Sequence, residues 1–307
     1  MLTDVEGMKV GHYTDLEGMT GCTVIVPPEG TVASCEWRGG APGDREWVLL
    51  QPEQRVDRIH GLVLAGGSAF GLAAADGVMG WLEEHGIGWD VGGFVKVPIV
   101  PAAILFDLGI GDPKARPGAE HGRMACEAAS TGPHGTGSVG AGTGCTAGKA
   151  YGREYALKSG IGTASAREGD LVVSALVAAN PWGEVLFEDG TIMGAERLPA
   201  GAALKFPQPG QNTLIGAVAT NAVIDKHQAF QMAKAGQDGV STVVSPAHTR
   251  YDGDVIFGLG TRRVAAPIDI VLALSSRVVA QAVRHAVSSA TSAGGLPGLA
   301  DNFVVGE

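Results

Sequence analysis

Apolar residues along this chain gather into short runs that end on glycine or proline, a spacing that predicts strands mixed with a few longer helices. The β-branched run at 22–26, closed by Pro27 and Pro28, predicts a strand, and 59–65 predicts a second, buried one. That second run enters a glycine-rich turn at 66–71 and then an alanine-rich helix over 72–84, which Gly86 ends. Residues 98–108 are another apolar segment, followed by a helix from about 119 to 129. Further on, 171–179 and 213–220 predict buried strands and 225–236 and 269–289 predict helices. A strand at 255–259 follows the turn Asp252-Gly-Asp254. Turns at 38–44 and 180–183 and a Gly/Ser/Thr-rich tract at 131–148 fill gaps between these elements. So does a loop over 190–211, where Pro199, Pro207 and Pro209 deny regular pairing. No internal repeat is present, and the loop before Thr213 is the one place that reads as a boundary.

Composition narrows this picture. With 307 residues, 45% hydrophobic and 18% charged, the chain can bury one large core or two modest ones. Glycine is the outlier, 48 residues in all and more than twice its usual share of about 7%. Without a collagen period, that surplus indicates sharp turns and close backbone approach in a sheet-rich α/β or α+β enzyme. No stretch approaches the roughly 18 unbroken apolar residues of a membrane span. The acidic start Met1-Leu-Thr-Asp-Val-Glu-Gly7 is unlike a signal peptide, so a soluble cytoplasmic protein is expected. A net charge of -10 and the lack of a basic stripe exclude nucleic acid as an expected partner. Cys22, Cys35, Cys126 and Cys145 form no C-x-x-C pair and read as buried structural thiols.

Several candidates for chemistry fall away on inspection. Gly66-Gly-Ser-Ala-Phe70 resembles a nucleophile elbow around Ser68, but Phe70 stands where the closing glycine belongs. The same turn lacks the G-x-G-x-x-G spacing of a dinucleotide site, and Asp90 is poorly placed as its ribose acid. The eight histidines show no metal spacing, and each reads as a satisfied surface or core residue. Asp252 and Asp254 fit a turn better than a magnesium site.

Thr213 stands out. A Pro/Gly loop ends at Gly210-Gln-Asn212 and an apolar strand begins on a hydroxyl residue. Attack of Thr213 Oγ on the Asn212 carbonyl, then hydrolysis of the ester, would leave a free α-amine beside its own hydroxyl. An α-amine has a reference pKa of about 8 and takes a hydroxyl proton at neutral pH. A threonine that simply starts a strand gives the same pattern.

Four ordered motifs tip the balance: Gly144-Cys-Thr-Ala-Gly-Lys149, Ala179-Asn-Pro-Trp-Gly183, Gly210-Gln-Asn-Thr-Leu-Ile215 and His248-Thr-Arg-Tyr-Asp-Gly-Asp254. With Leu64-Ala-Gly-Gly-Ser-Ala-Phe-Gly-Leu72, they resemble the L-aminopeptidase/D-esterase family, which includes β-aminopeptidases and nylon-oligomer hydrolases. The resemblance implies a four-layer αββα sandwich of the N-terminal-nucleophile type, one domain self-cleaved into residues 1–212 and 213–307. It also implies hydrolysis of small peptides, amides or esters without a cofactor or metal, by a homo-oligomer of four or more cleaved heterodimers. Carried over, Thr213 is the nucleophile and Asn212–Thr213 the cleavage site. Asn180 donates to the oxyanion, Lys149 holds the α-amine neutral, and Asp252 and Asp254 orient the amine network or receive a substrate ammonium. The chain departs from the nylon-oligomer branch at Phe106, where that branch has a tyrosine, and shares its threonine where aminopeptidase members carry serine. Two rivals remain: an acyltransferase of the ornithine acetyltransferase type, and an uncleaved nucleotide-binding or scaffold protein built on the 66–71 turn.

Overall fold

Strands that are buried at almost every position need cover on both faces, and that requirement organises this molecule. The computed structural model describes residues 1–206 and 211–303. In chain order, the first sheet-forming strands are β1 (Lys9–Asp15), β2 (Thr20–Val26), β3 (Val32–Gly39), β4 (Asp44–Arg45), β5 (Leu62–Ala65) and β6 (Ala102–Ile104). After them come β7 (Ile161–Glu168), β8 (Leu171–Asn180), β9 (Thr213–Ala222) and β10 (Gly253–Val264). The helices are α1 (Ala74–Glu84), α2 (Ala119–Glu127), α3 (Lys226–Val243) and α4 (Ile268–Ser288).

One five-stranded sheet has the order β1-β2-β5-β6-β4 and the other β7-β8-β9-β10-β3. In the second sheet β9 and β10 run parallel while the other neighbours are antiparallel. Between the sheets, Ile25, Leu64 and Ala103 meet Leu176, Ile215 and Phe257. On the outside of the first sheet, Val78 and Leu82 of α1 and Ala125 of α2 cover Val24 and Val63. On the outside of the second, Met232 and Val240 of α3 and Val278 and Val283 of α4 cover Val177, Val218 and Ile256. This is the αββα sandwich that the motifs implied. Of the described helices, α4 alone is long and apolar enough to cross a membrane, and its Val271, Val278, Val279 and Val283 lie in this core.

Side chains alternate across a strand. On β9, Leu214 and Val218 belong to the helix-side core and Ile215, Ala217 and Ala219 to the inter-sheet core. Thr213, the strand's first residue, therefore faces the space between the sheets at their end. Asn180, the last residue of β8, is its register partner.

The expected helix 225–236 continues to Val243. A side chain at Gly239 would strike the Ser276 carbonyl oxygen of α4, and one at Gly236 would meet Ile256 Cγ2 at 2.9 Å. These glycines permit close packing rather than ending the helix. Strands β1, β3 and β7 went unread because polar and half-exposed residues break their apolar runs. All four cysteines are free and buried, as expected.

The 66–71 turn has an internal purpose. Gly66, Gly67 and Ser68 N–H donate to the Gly21 carbonyl, Asp107 Oδ1 and the Leu105 carbonyl at 2.9, 2.7 and 2.9 Å. Those amides are thus occupied within the protein, leaving none of the three to cradle a phosphate.

Candidate active site

The apolar β9 begins abruptly after the proline-rich loop, which places the Asn212–Thr213 peptide at the end of the central strand pair. Thr213 is only 3% exposed. Its Oγ1 donates to the Asn212 carbonyl oxygen. The same carbonyl oxygen accepts the Gly253 N–H at 3.2 Å, because Asn212 bridges to Asp252 at the start of parallel β10. Asn212 thus has its carbonyl held by a backbone donor and touched by the Thr213 hydroxyl.

Asn180 and Lys149 form the next part of the site. The glycine-rich tract brings Lys149 across the sheet end, where its N–H donates to the Trp182 carbonyl at 3.0 Å. Lys149 Nζ donates to Asn180 Oδ1 at 2.8 Å and to the Asn180 carbonyl at 3.2 Å. Asn180 Oδ1 also accepts from Thr146 N–H at 3.1 Å and Thr146 Oγ1 at 3.0 Å, which fixes the orientation of its amide. Asn180 Nδ2 donates to the Phe106 carbonyl at 2.9 Å, and an NH2 group has a second hydrogen to offer. Lys149 is 6% exposed. Burial lowers its pKa from 10.5 to about 7, against the opposing pull of the Asp252 charge.

The acidic pair flanks the strand. Asp254 Oδ1 accepts the Leu214 N–H at 2.7 Å, and Asp254 Oδ2 meets His248 Nδ1 at 2.8 Å. His248 Nε2 reaches the Gln237 carbonyl at 3.1 Å. Burial disfavours the imidazolium, but the hydrogen bond and charge of Asp254 outweigh it and raise the His248 pKa. Asp252 accepts from Trp182 N–H at 3.2 Å and Thr249 N–H at 3.1 Å, and from the Thr249 hydroxyl. Burial, then the Asp254 charge, raises its pKa. Since all four carboxylate oxygens already accept hydrogen bonds, an orienting role suits this pair better than receipt of a substrate ammonium.

A cavity of about 320 Å³ opens beside the junction, bordered by Phe106, Ile110, Lys149, Trp182, Phe206 and Asn212 among others. Phe106, which carries no hydroxyl, is one of the residues of this wall. Among the described residues no group of three or more His, Cys, Asp or Glu could hold a metal ion.

The family model for peptidase family S58 matches residues 1–300. The chain belongs to this family. An uncharacterized aminopeptidase of Mycobacterium leprae (strain TN) is 40% identical over 96% of this chain and 92% of its own length. A 6-aminohexanoate-oligomer endohydrolase of Kocuria sp. (strain KY2) is 32% identical over 86% of this chain and 76% of its own. Among solved structures, the L-aminopeptidase D-Ala-esterase/amidase of Ochrobactrum anthropi, a variant of the Ntn hydrolase fold, aligns with a TM-score of 0.76 at 21% identity. That alignment covers 96% of this chain and 88% of the other, and it speaks to fold. This S58 member is a peptidase or amide hydrolase.

Several groups around the S58 site were not singled out from sequence. Buried Lys158 donates to the carbonyls of Gly142, Cys145 and Ser159 and so pins the tract leading to Lys149. Burial lowers its pKa to about 8. Arg197, in the loop before the junction, pairs with buried Glu184 and donates to the carbonyls of Gly148, Tyr155, Met193 and Gly194. A single Lys or Arg in a polar stretch carries no sequence signal of such burial. His248 is bonded at both ring nitrogens, as expected of a satisfied histidine, but its partner is an acid of the site. The expectation of satisfied histidines fails elsewhere: among the described residues, Nε2 of His12 and of His134 is buried without a partner.

Proposed function

We propose that this S58 peptidase cuts its own chain between Asn212 and Thr213 and then works as an N-terminal-nucleophile amidohydrolase or aminopeptidase. The observation that supports this most is the junction itself, with the Thr213 hydroxyl on the Asn212 carbonyl and Gly253 N–H on the same oxygen.

In self-cleavage, Thr213 Oγ1 bonds to the Asn212 carbonyl carbon and its proton passes to the neutral Lys149 amine. Gly253 N–H receives the oxyanion. The carbon–nitrogen bond then breaks, the departing nitrogen regains a proton from Lys149, and water hydrolyses the ester to an Asn212 carboxylate and a Thr213 hydroxyl. In turnover, the new α-amine, with a reference pKa of about 8, takes the hydroxyl proton as Thr213 attacks the substrate carbonyl. The second N–H of Asn180 donates to the oxyanion alongside Gly253 N–H, the amine leaves protonated, and water frees the acyl group from Thr213. A cationic Lys149 would oppose protonation of the α-amine.

The substrates are small amides, peptides or esters, a range bracketed by the relatives named aminopeptidase and 6-aminohexanoate-oligomer endohydrolase. Assembly of cleaved heterodimers into a homo-oligomer belongs to the same reading. A two-stranded hairpin (Trp89–Val91 with Val95–Val97) supports it, since Phe94 at its tip is 94% exposed.

The test is the denatured mass of freshly purified protein. Fragments 1–212 and 213–307 are expected, and Thr213→Ala is expected to give one intact, inactive chain. A Thr213→Ala protein that is cleaved and active would refute the proposal.

A further inference from the structure

If Thr213 serves both reactions, the precursor already shows how an acyl group sits. Its Oγ1 attacks one carbonyl in the intact chain and another in turnover, from the same strand end. Gly253 N–H, 3.2 Å from the Asn212 carbonyl oxygen, stays in place after cleavage because it belongs to β10. A substrate carbonyl presented to that donor would send its side chain where the Asn212 side chain lies now.

That location does not complement a carboxamide. Asn212 is 1% exposed, yet its Nδ2 is buried with no hydrogen-bond partner among the described residues. The cavity it borders is lined by the apolar Phe106, Ile110, Trp182 and Phe206 as well as by polar residues such as Thr146 and Lys149, and none of these is a partner of that nitrogen. A donor that loses water and gains no partner is in the wrong surroundings, whereas an apolar chain of equal size loses nothing there.

We infer that the space around the Asn212 side chain is the acyl side-chain subsite of the mature enzyme. It takes uncharged, apolar acyl residues of about leucine or methionine size in preference to carboxamide ones. This rests on the self-processing reading above. Cleavage frees the Asn212 end of the chain to move, and the incoming acyl side chain takes its place without the unpartnered nitrogen.

Two measurements test the subsite. Fully cleaved wild-type enzyme is assayed on the p-nitroanilides of leucine, methionine, asparagine and aspartate. The expected kcat/KM for leucine and methionine exceeds that for asparagine by about tenfold or more. Equal or greater activity on asparagine overturns the inference, and so does preference for aspartate, which would make Lys149 a side-chain receptor. Independently of any substrate, Asn212→Leu in the uncleavable Thr213→Ala chain is expected to raise Tm by about 2 °C. An unchanged or lower Tm overturns the claim of an unpartnered carboxamide. A wild-type chain that stays whole removes the self-processing reading itself. A chain that cleaves yet prefers asparagine removes the subsite alone.

Discussion

Self-cleavage is expected to switch on with pH as the Lys149 amine loses its proton. Burial brings its pKa from 10.5 to about 7. The neutral fraction is then about half at pH 7, about 10% at pH 6 and about 1% at pH 5. A solvated lysine at pH 7 would be neutral in roughly 0.03% of molecules, about three orders of magnitude less. If the Thr213 proton goes to this amine, the first-order rate falls about tenfold per unit below pH 7 and levels off above about pH 8. Lys149→Arg keeps a cation that does not deprotonate, and is expected to slow cleavage by about a thousandfold at pH 7.

Lys149→Met also removes the base, but its effect on stability has the opposite sign. The folded pKa lies below the unfolded one, so between about pH 7 and 10.5 the unfolded chain binds more protons. The wild-type contribution from this group rises with pH across that window, and the cost of burying the ammonium is present in full below pH 7. Lys149→Met therefore gains most over wild type below pH 7, and the gap closes toward pH 10. The assay is a pulse of cell-free translated precursor, shifted to buffers from pH 5 to 9, with fragments counted by mass. A flat rate between pH 5.5 and 8, or wild-type cleavage by Lys149→Met, refutes the assignment.

Asn180→Ala removes the proposed oxyanion donor and is expected to lower kcat by about 10²–10³ in protein that has already cleaved, read by single-turnover assay. Arg197→Met strands the Glu184 carboxylate in the core and is expected to cost about 3–5 kcal/mol by urea denaturation. Adding Glu184→Gln should recover part of that loss. The His248–Asp254 pair has a raised imidazole pKa, so its stabilisation is complete below the unfolded histidine pKa and fades as pH rises through the folded one. Urea midpoints of wild type are expected to lose this contribution as pH rises above the ordinary histidine value of about 6.5 and through the raised folded one, and Asp254→Asn to flatten the dependence.

What the sequence disclosed depends on how each feature is buried. Strands β8 and β9 are covered on both faces, so their apolar runs are continuous and could be read directly. β3 carries Glu36, Trp37 and Arg38 at half-exposed or exposed positions, and its run breaks there. The end of α3 was misplaced because glycine signals both a helix stop and a close crossing, and only the proximity of α4 decides between them. Thr213, Asn180, Lys149, Asp252 and Asp254 are singled out by the order of their motifs, and the fold gathers all five around one sheet end. Arg197 and Lys158 escaped because their partners are backbone carbonyls scattered over the chain, a pattern with no spacing to detect.

The strand order also governs whether the two fragments stay together after a cut at Thr213. In the second sheet, β9 and β10 come from residues 213–307, while β7, β8 and β3 come from residues 1–212. The downstream fragment therefore contributes two central strands flanked by strands of the upstream fragment. Asn180 through Val173 pair with Thr213 through Thr220 on one side, and Gly253 through Gly260 pair with Gly39 through Val32 on the other. α3 and α4, also downstream, cover β8 as well as their own strands through Val177, Val278 and Val283. Separating the fragments would expose both ladders and that core together, so a single broken peptide at the strand's first residue releases nothing. The two fragments are expected to co-elute in native size exclusion and to part only with cooperative unfolding, at one urea midpoint seen by both fluorescence and cross-linking. Dissociation at a lower midpoint than loss of sheet structure would show that the interleaved strands do not hold the pair.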